Sequence, residues 1–174
     1  MRSIGNTIAD SLQLSLNYAD RLREGVTSEN FARLAMPGGG AIQSNHAAFI
    51  YGHLALYAPI ILEQQGRDDL SVKIPDGFER VFSKDAQCVD DPDGSIYPVM
   101  EEVLKAFDSG YRQVITAIRE SSDETMQMPN PIPGRMSELF PTIGSLHGFY
   151  VGGHMMIHMG QLSAWRRMLG LGPA

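Results

Sequence analysis

The chain has 174 residues, of which 43% are hydrophobic, and its formal net charge at pH 7 is -6. This length allows one domain spanning residues 1–174 with a substantial core, and it is too short for two comfortable domains. The acidic balance argues against nucleic acid as a partner, since it would repel a phosphate backbone and the largest basic cluster is the pair Arg166 and Arg167. We therefore expect a single globular domain that binds no nucleic acid.

The compartment is predicted from the absence of two kinds of signal. No stretch approaches the roughly 18 consecutive apolar residues of a membrane-spanning helix, and polar residues interrupt the first segment throughout, whereas a signal peptide has an unbroken apolar region. The single cysteine, Cys88, cannot form an internal disulfide, and no histidine or cysteine lies near it in sequence to activate it. We expect a soluble cytoplasmic protein with no membrane partner and an inert thiol.

Four segments have apolar residues at three- and four-residue intervals, and clusters of Gly, Pro and Asp separate them, which predicts four helices. The first covers residues 3–24, and Gly25 follows as a stop signal. The second covers residues 42–64, where Pro59 is expected to kink the helix near its end. The apolar side of the first helix is formed by Ile4, Ile8, Leu12, Ala19 and Leu22.

The other two helices follow a long connection. Residues 67–94 contain several aspartates and no sustained periodicity, so they predict either a crossover that spans the fold or a rim over a site. The third helix covers residues 95–121, and the fourth covers residues 142–169 after a proline-rich loop and a short turn at residues 137–140. The fold class is predicted as all-α, a four-helix bundle with a long connection between helices 2 and 3. The stripe of the third helix is Ile96, Met100, Val103, Phe107, Val114 and Ile118.

All five histidines lie in the second and fourth predicted helices. His154 and His158 are four residues apart and would stack about one turn apart on one helix face, within reach of a common metal ion. His53 is the best candidate for a third ligand, because its helix face is mostly apolar and should point inward. Three ligands would leave positions open for water or substrate. The face around His53 comprises Ile42, His46, Phe49, His53 and Ile60.

A metal would account for several imidazoles inside one core. Buried imidazoles are costly unless each has a partner, and one ion would satisfy three together while selecting their neutral form. In the alternative interpretation the H-x-x-x-H spacing arises by chance, and its members bind helix carbonyls or waters. The motif is not that of a zinc peptidase, because Met155 stands where H-E-x-x-H has a glutamate. Any chemistry would use a metal-activated water, thiolate or enolate.

The pattern alone assigns no catalytic residue. Tyr57, Tyr150 and Gln161 lie about one turn from a proposed ligand, and we expect them to pack against or orient the ligands rather than react. His46 and His147 each precede a proposed ligand by about two turns, and we expect the same kind of role. They would lie level if helices 2 and 4 run parallel and at opposite ends if these helices run antiparallel. His46 is expected near a helix start, where solvent can reach it.

Three segments together are similar to a known family. Residues 51–56 read Y-G-H-L-A-L, residues 153–162 read G-H-M-M-I-H-M-G-Q-L, and residues 165–171 read W-R-R-M-L-G-L. They resemble the ligand segments and the C-terminus of the DinB-like superfamily of bacterial metal-binding four-helix bundles. The resemblance spans nearly the whole chain.

The resemblance implies that His53, His154 and His158 hold one divalent metal, zinc or nickel first, with iron, manganese or copper as further candidates. It also implies a homodimer. Some relatives transfer low-molecular-weight thiols such as bacillithiol, and others isomerise maleylpyruvate with mycothiol. We expect a thiol-dependent transferase with a small-molecule substrate and a thiol cosubstrate. The alternatives are a metal-dependent hydrolase using bound hydroxide and a non-catalytic bundle that binds metal or ligand.

Overall fold

A computed structural model describes residues 2–174, and within that range the chain is helical without a β-strand. The all-α class predicted from the sequence is confirmed. No helix in these residues is both long enough and apolar enough to cross a membrane. In chain order the helices are α1 Ile4–Leu22, α2 Ala47–Ala55, α3 Tyr57–Gln64, α4 Phe78–Phe82, α5 Met100–Glu120, α6 Asp123–Gln127, α7 Arg135–Leu139, α8 Ile143–Gly148, a π-helical segment Phe149–His154 and α9 Met155–Met168.

The two longest helices, α1 and α5, pack against each other and carry the rest of the core. The side chain of Ser3 caps α1 by accepting a hydrogen bond from the amide of Asn6. On the other faces α5 packs against α2 and α3, while α1 packs against α9 and the π-helical segment. Glycines allow the closest approaches: a Cβ added to Gly110 of α5 would lie 2.7 Å from the Cβ of Ala58. These contacts surround α2 with protein.

The predicted second helix, residues 42–64, is shorter and broken. It begins at Ala47, with His46 as its N-cap, and it breaks at Leu56 into α2 and α3. Pro59 explains the break, because it has no N–H group to donate to the carbonyl of residue 55. Every residue of α2 is buried, so the helix has no solvent face. The predicted inward face was wrong at its two ends, which lie outside α2: Ile42 and Ile60 are 39% and 38% exposed.

The predicted third helix starts five residues later than expected, at Met100 rather than residue 95. The amides of Ser95, Ile96 and Tyr97 donate to the carboxylate of Asp91 and so do not enter a helix. Pro98 also restricts the residue before it to extended backbone. The predicted core position at Ile96 was wrong, since that side chain is 39% exposed, whereas the stripe from Val103 onward is buried.

The long connection after helix 2 is present, but it contains a helix that its sequence pattern did not predict. Helix α4 has only five residues, and it buries Phe78, Val81 and Phe82 against α2. The predicted turn at residues 137–140 corresponds to α7. The predicted fourth helix is present from its N-cap Thr142 onward, but its middle is π-helical between α8 and α9.

Candidate metal centre

Three imidazoles from different elements converge at one point. The Nε2 atom of His154 lies 3.4 Å from Nε2 of His53 and 3.1 Å from Nε2 of His158. One ligand nitrogen from each ring lies within 4.8 Å of the other two, and no carboxylate or thiolate belongs to the same group among residues 2–174. The three histidines proposed from the sequence therefore lie together and could hold a metal.

Helix irregularities bring these rings together. His53 lies three residues before the break that Pro59 causes, on a helix that is buried all round. His154 is the last residue of the π-helical segment, and His158 lies one turn further on in α9. Gly152 lets this segment approach α1, because a Cβ there would lie 3.2 Å from Oγ of Ser11. Single π-helical turns often occur at functional sites, where they redirect a side chain.

Two of the three rings are held in the form that binds a metal. Nδ1 of His53 lies 2.8 Å from the carbonyl oxygen of Phe82, which only accepts hydrogen bonds. Nδ1 of His158 lies 2.9 Å from Oε1 of Gln161, and this oxygen also accepts from Nδ2 of Asn45 at 3.2 Å. Because Nδ1 donates in both rings, each Nε2 carries a lone pair. Both lone pairs face His154.

The spacing of the nitrogens fits a divalent ion. Nitrogens bound to tetrahedral zinc at about 2.0–2.1 Å lie about 3.3–3.4 Å from one another. The two Nε2 separations here are 3.1 and 3.4 Å. Without a cation, three nitrogens this close would share at most one N–H proton between them, and one lone pair would face another. The donor set, three neutral imidazoles, suits zinc, nickel, copper or iron.

His154 differs from the other two rings in its surroundings. Its Nδ1 atom is buried and makes no hydrogen bond to any residue from 2 to 174. A metal bound at Nε2 would leave the ring proton on Nδ1 as a buried donor without a partner, so this ring lacks the outer hydrogen bond that usually orients a ligating histidine. The ring packs between Tyr57 and Phe149, with centroid separations of 4.6 and 5.8 Å. Aromatic packing rather than hydrogen bonding holds its orientation.

All three imidazoles are biased towards the neutral form. Burial lowers the pKa of His53, His154 and His158, and the two neighbouring rings lower that of His154 further, to about 3. A neutral imidazole is the metal-binding form, so no proton has to be displaced near neutral pH.

A cavity of about 260 Å³ adjoins the histidines, and His53 forms part of its wall. Tyr57 and Tyr150 line it together with the aliphatic side chains of Leu56 and Ile132. The ring of Tyr57 lies 5.3 Å from that of His53 and 5.1 Å from that of Tyr150. Burial raises the pKa of both tyrosines, so both hydroxyl groups are protonated near pH 7. The cavity can admit a small ligand next to the proposed metal position.

His46 lies away from the cluster and has a structural role. Its Nδ1 accepts a hydrogen bond from the amide of Phe49, and its Nε2 lies 3.0 Å from the carbonyl oxygen of Val89. The prediction that solvent reaches His46 was wrong, because the side chain is fully buried. The connection between helices covers it, and burial lowers its pKa to about 4. Thus His46 joins the start of α2 to this connection.

His147 lies at the other end of the site and contacts two consecutive glutamines. Its Nε2 and Nδ1 atoms lie 3.0 Å from the side chains of Gln64 and Gln65 respectively. Because Asn45 before α2 contacts Gln161 of α9 while the end of α3 contacts His147, the two histidine-bearing segments run antiparallel. This decides between the two arrangements left open by the sequence.

Two contributors to the site were missed. Asn45 holds Gln161, and the carbonyl of Phe82 holds His53, yet neither residue type has a motif that marks it. The i, i+3, i+4 spacing of Phe78, Val81 and Phe82 is the only signal that could have indicated α4. Burial raises the pKa of Cys88 to about 11, which agrees with an inert thiol.

No protein-family model matches the chain, and no curated protein matches its sequence.

Proposed function

We propose that this protein is a metal-dependent, thiol-using transferase of the DinB-like type, in which His53, His154 and His158 hold one zinc or nickel ion. The observation that carries the proposal is the convergence of three Nε2 atoms at 3.1 and 3.4 Å beside a cavity. A site with three protein ligands keeps a position for an exchangeable ligand, as catalytic sites do and closed structural sites do not.

A four-helix bundle is the architecture we propose for these elements. The four segments are α1, α2 with α3, α5, and α8 with α9, which correspond to the four helices expected from the sequence. Their mutual packing and the antiparallel direction of the two histidine-bearing segments support this arrangement. In such bundles metal sites are built in the core from side chains on facing helices, and the three clustered histidines come from two of these segments.

When bound, a divalent ion would supply Lewis acidity that lowers the pKa of a thiol next to it. The protein's part is to hold the three rings and to shape the cavity. Gln161 and the carbonyl of Phe82 orient the rings of His158 and His53. Leu56 and Ile132 provide the apolar part of a cavity wall that also carries Glu79, Ser83 and Lys84. Tyr57 and Tyr150 present protonated hydroxyl groups that could donate to an oxygen of the electrophile.

The transfer can be tested with cysteine, glutathione and coenzyme A as thiols and 1-chloro-2,4-dinitrobenzene as the electrophile. In this reaction a carbon–sulfur bond forms, the carbon–chlorine bond breaks, and the thiol proton and chloride are released. Protein purified without chelators should contain about one divalent ion per chain and should accelerate the reaction with at least one thiol. His154→Ala should abolish both properties. Met156→Ala is the control, because Met156 lies on the same helix and is 42% exposed.

The same experiment separates the alternatives. Turnover of an activated ester without any thiol would favour a hydrolase, for which Glu79 on the cavity wall is the carboxylate available as a general base. Bound metal without turnover would favour a binding bundle. Protein that contains no metal and gains no thermal stability from added zinc or nickel would refute the metal site itself.

A further inference from the structure

The side-chain amide of Gln161 presents its oxygen to His158, one of the three clustered histidines. Oε1 lies 2.9 Å from Nδ1 of His158 and 3.2 Å from Nδ2 of Asn45. An amide has an acceptor oxygen and a donor nitrogen of similar size, so a half-turn of this group would exchange the two. The orientation of Gln161 therefore decides whether it accepts from His158 or donates to it.

This choice determines where His158 carries its proton. With the oxygen facing the ring, Nδ1 is protonated and Nε2 offers a lone pair to the cluster. With the nitrogen facing the ring, Nδ1 must accept and the proton moves to Nε2. That proton would then lie 3.1 Å or less from Nε2 of His154, in the space that a metal needs. One of the two amide orientations is compatible with metal binding, and the other opposes it.

Asn45 is the second partner of the Gln161 oxygen, and with its own Nδ2 turned towards Gln161 it favours the orientation in which that oxygen faces His158. It precedes α2 and is 116 residues away from Gln161 in sequence, yet its Nδ2 donates to the same oxygen that accepts from His158. We propose that Asn45 is a positioning residue, which holds the Gln161 oxygen towards His158 and so keeps His158 in its metal-binding tautomer. This inference rests on the metal site of the proposed function.

Asn45→Asp is the sharpest test, because two effects predict opposite results. An aspartate only accepts hydrogen bonds, so Gln161 would turn its nitrogen towards Asp at this position and towards His158. Simple electrostatics predicts tighter metal binding, since a negative charge is added near a cation. The positioning role predicts zinc affinity about 10- to 100-fold weaker than in the unaltered protein, as for other residues that orient ligands.

Zinc affinity is measured by competition with a chromophoric chelator, and Gln43→Ala is the control from the same loop, expected to leave the affinity unchanged. The tautomer is read without metal by nitrogen NMR of labelled histidine. His158 should carry its proton on Nδ1 in the unaltered protein and on Nε2 in Asn45→Asp. Unchanged or tighter zinc binding by Asn45→Asp, or an Nε2 proton already in the unaltered protein, would overturn the proposal.

These measurements also separate this inference from the proposed function. If the protein binds zinc but transfers no thiol, the functional proposal is refuted. The role of Asn45 is then still tested by the zinc affinity and by the tautomer of His158. A protein that binds no metal fails the metal site, and the metal-free NMR comparison still decides whether Asn45 controls the tautomer of His158.

Discussion

The Nδ1 atom of His53 lies 2.8 Å from the carbonyl oxygen of Phe82, a residue of the five-residue helix α4. The aromatic ring of the same residue lies against the backbone of Gly52, the position immediately before His53. A Cβ added to Gly52 would lie 2.5 Å from three atoms of this ring. One residue of the connection thus orients a proposed ligand through its carbonyl and packs against the adjacent glycine through its side chain.

Substituting Gly52 with alanine should therefore disturb stability and metal binding together. The buried ring has to move to admit the Cβ, and its carbonyl moves with it. Overpacking of this kind costs about 1–3 kcal/mol of unfolding free energy. We expect a loss in this range by urea denaturation of the metal-free protein, and zinc affinity weaker by about 10-fold or more.

Gly148→Ala is the matched control for this change. A Cβ at Gly148 would meet nothing within 4 Å, and its backbone is right-handed helical, with φ of -57°. Alanine there should stabilise the protein by about 0.5–1 kcal/mol, because glycine is unfavourable within helices. If both alanine variants unfold at the same urea concentration, the close packing of Phe82 on Gly52 does not determine the stability of the Gly52→Ala variant.

Part of the histidine cluster could be inferred from the sequence because it depends on short-range geometry. A four-residue spacing places His154 and His158 on one helix face whatever surrounds the helix. His53 was accessible for a different reason: its predicted helix face is mostly apolar, so a histidine there should point inward and be satisfied internally, and α2 is in fact buried on every side. The inward-face argument for His53 thus selected a residue that lies in the cluster, although the face itself was drawn incorrectly at Ile42 and Ile60.

The remaining parts of the site depend on contacts between distant segments. Asn45 is polar and precedes a helix, which locally suggests only a cap or a loop, and its partner Gln161 lies in the last helix. The exposure of His46 was mispredicted for the same reason, since the loop that covers it at Val89 belongs to the connection without periodicity. Apart from its two glycines, nothing in the sequence of Phe149–His154 indicates that this segment is π-helical.

Zinc should stabilise the native protein, and His154 should be required for this effect. Binding to the folded state alone adds about 2.7 kcal/mol when free zinc exceeds its dissociation constant 100-fold. For a chain of this size that corresponds to a rise in Tm of about 5–10 °C. Calorimetry with and without zinc should show this rise in the unaltered protein and in Met156→Ala, but none in His154→Ala. An equal rise in Tm in all three proteins would mean that zinc binds at a site that does not include His154.

His46 should contribute to stability through two hydrogen bonds. Replacement by alanine removes the N-cap of α2, worth about 1 kcal/mol, and leaves the carbonyl of Val89 without its donor, at about 1–3 kcal/mol. We expect His46→Ala to lower the unfolding free energy by about 2–4 kcal/mol. His46→Asn should lose less, because asparagine is a good N-cap. The N-cap role would be rejected if the asparagine variant were as unstable as the alanine variant in urea titrations.

The stability of the metal-free protein should fall as the pH decreases from about 6.5 to about 4. Burial lowers the pKa of His46 and of His147 from 6.5 to about 4. Between these values the unfolded chain binds protons that the folded chain does not, so acidification favours unfolding. Above pH 6.5 both states hold these histidines neutral, and this contribution is fully present.

His147→Gln provides the test of that acid dependence. Glutamine cannot be protonated in this range, and its amide can still contact the side chains of Gln64 and Gln65. Each proton bound only by the unfolded state contributes about 1.4 kcal/mol per pH unit to the slope of stability against pH. Urea denaturation in the presence of a chelator at several pH values between about 4.5 and 6 should show a slope lower by about this amount in His147→Gln. An unchanged slope would mean that His147 is protonated as readily in the folded chain as in the unfolded one.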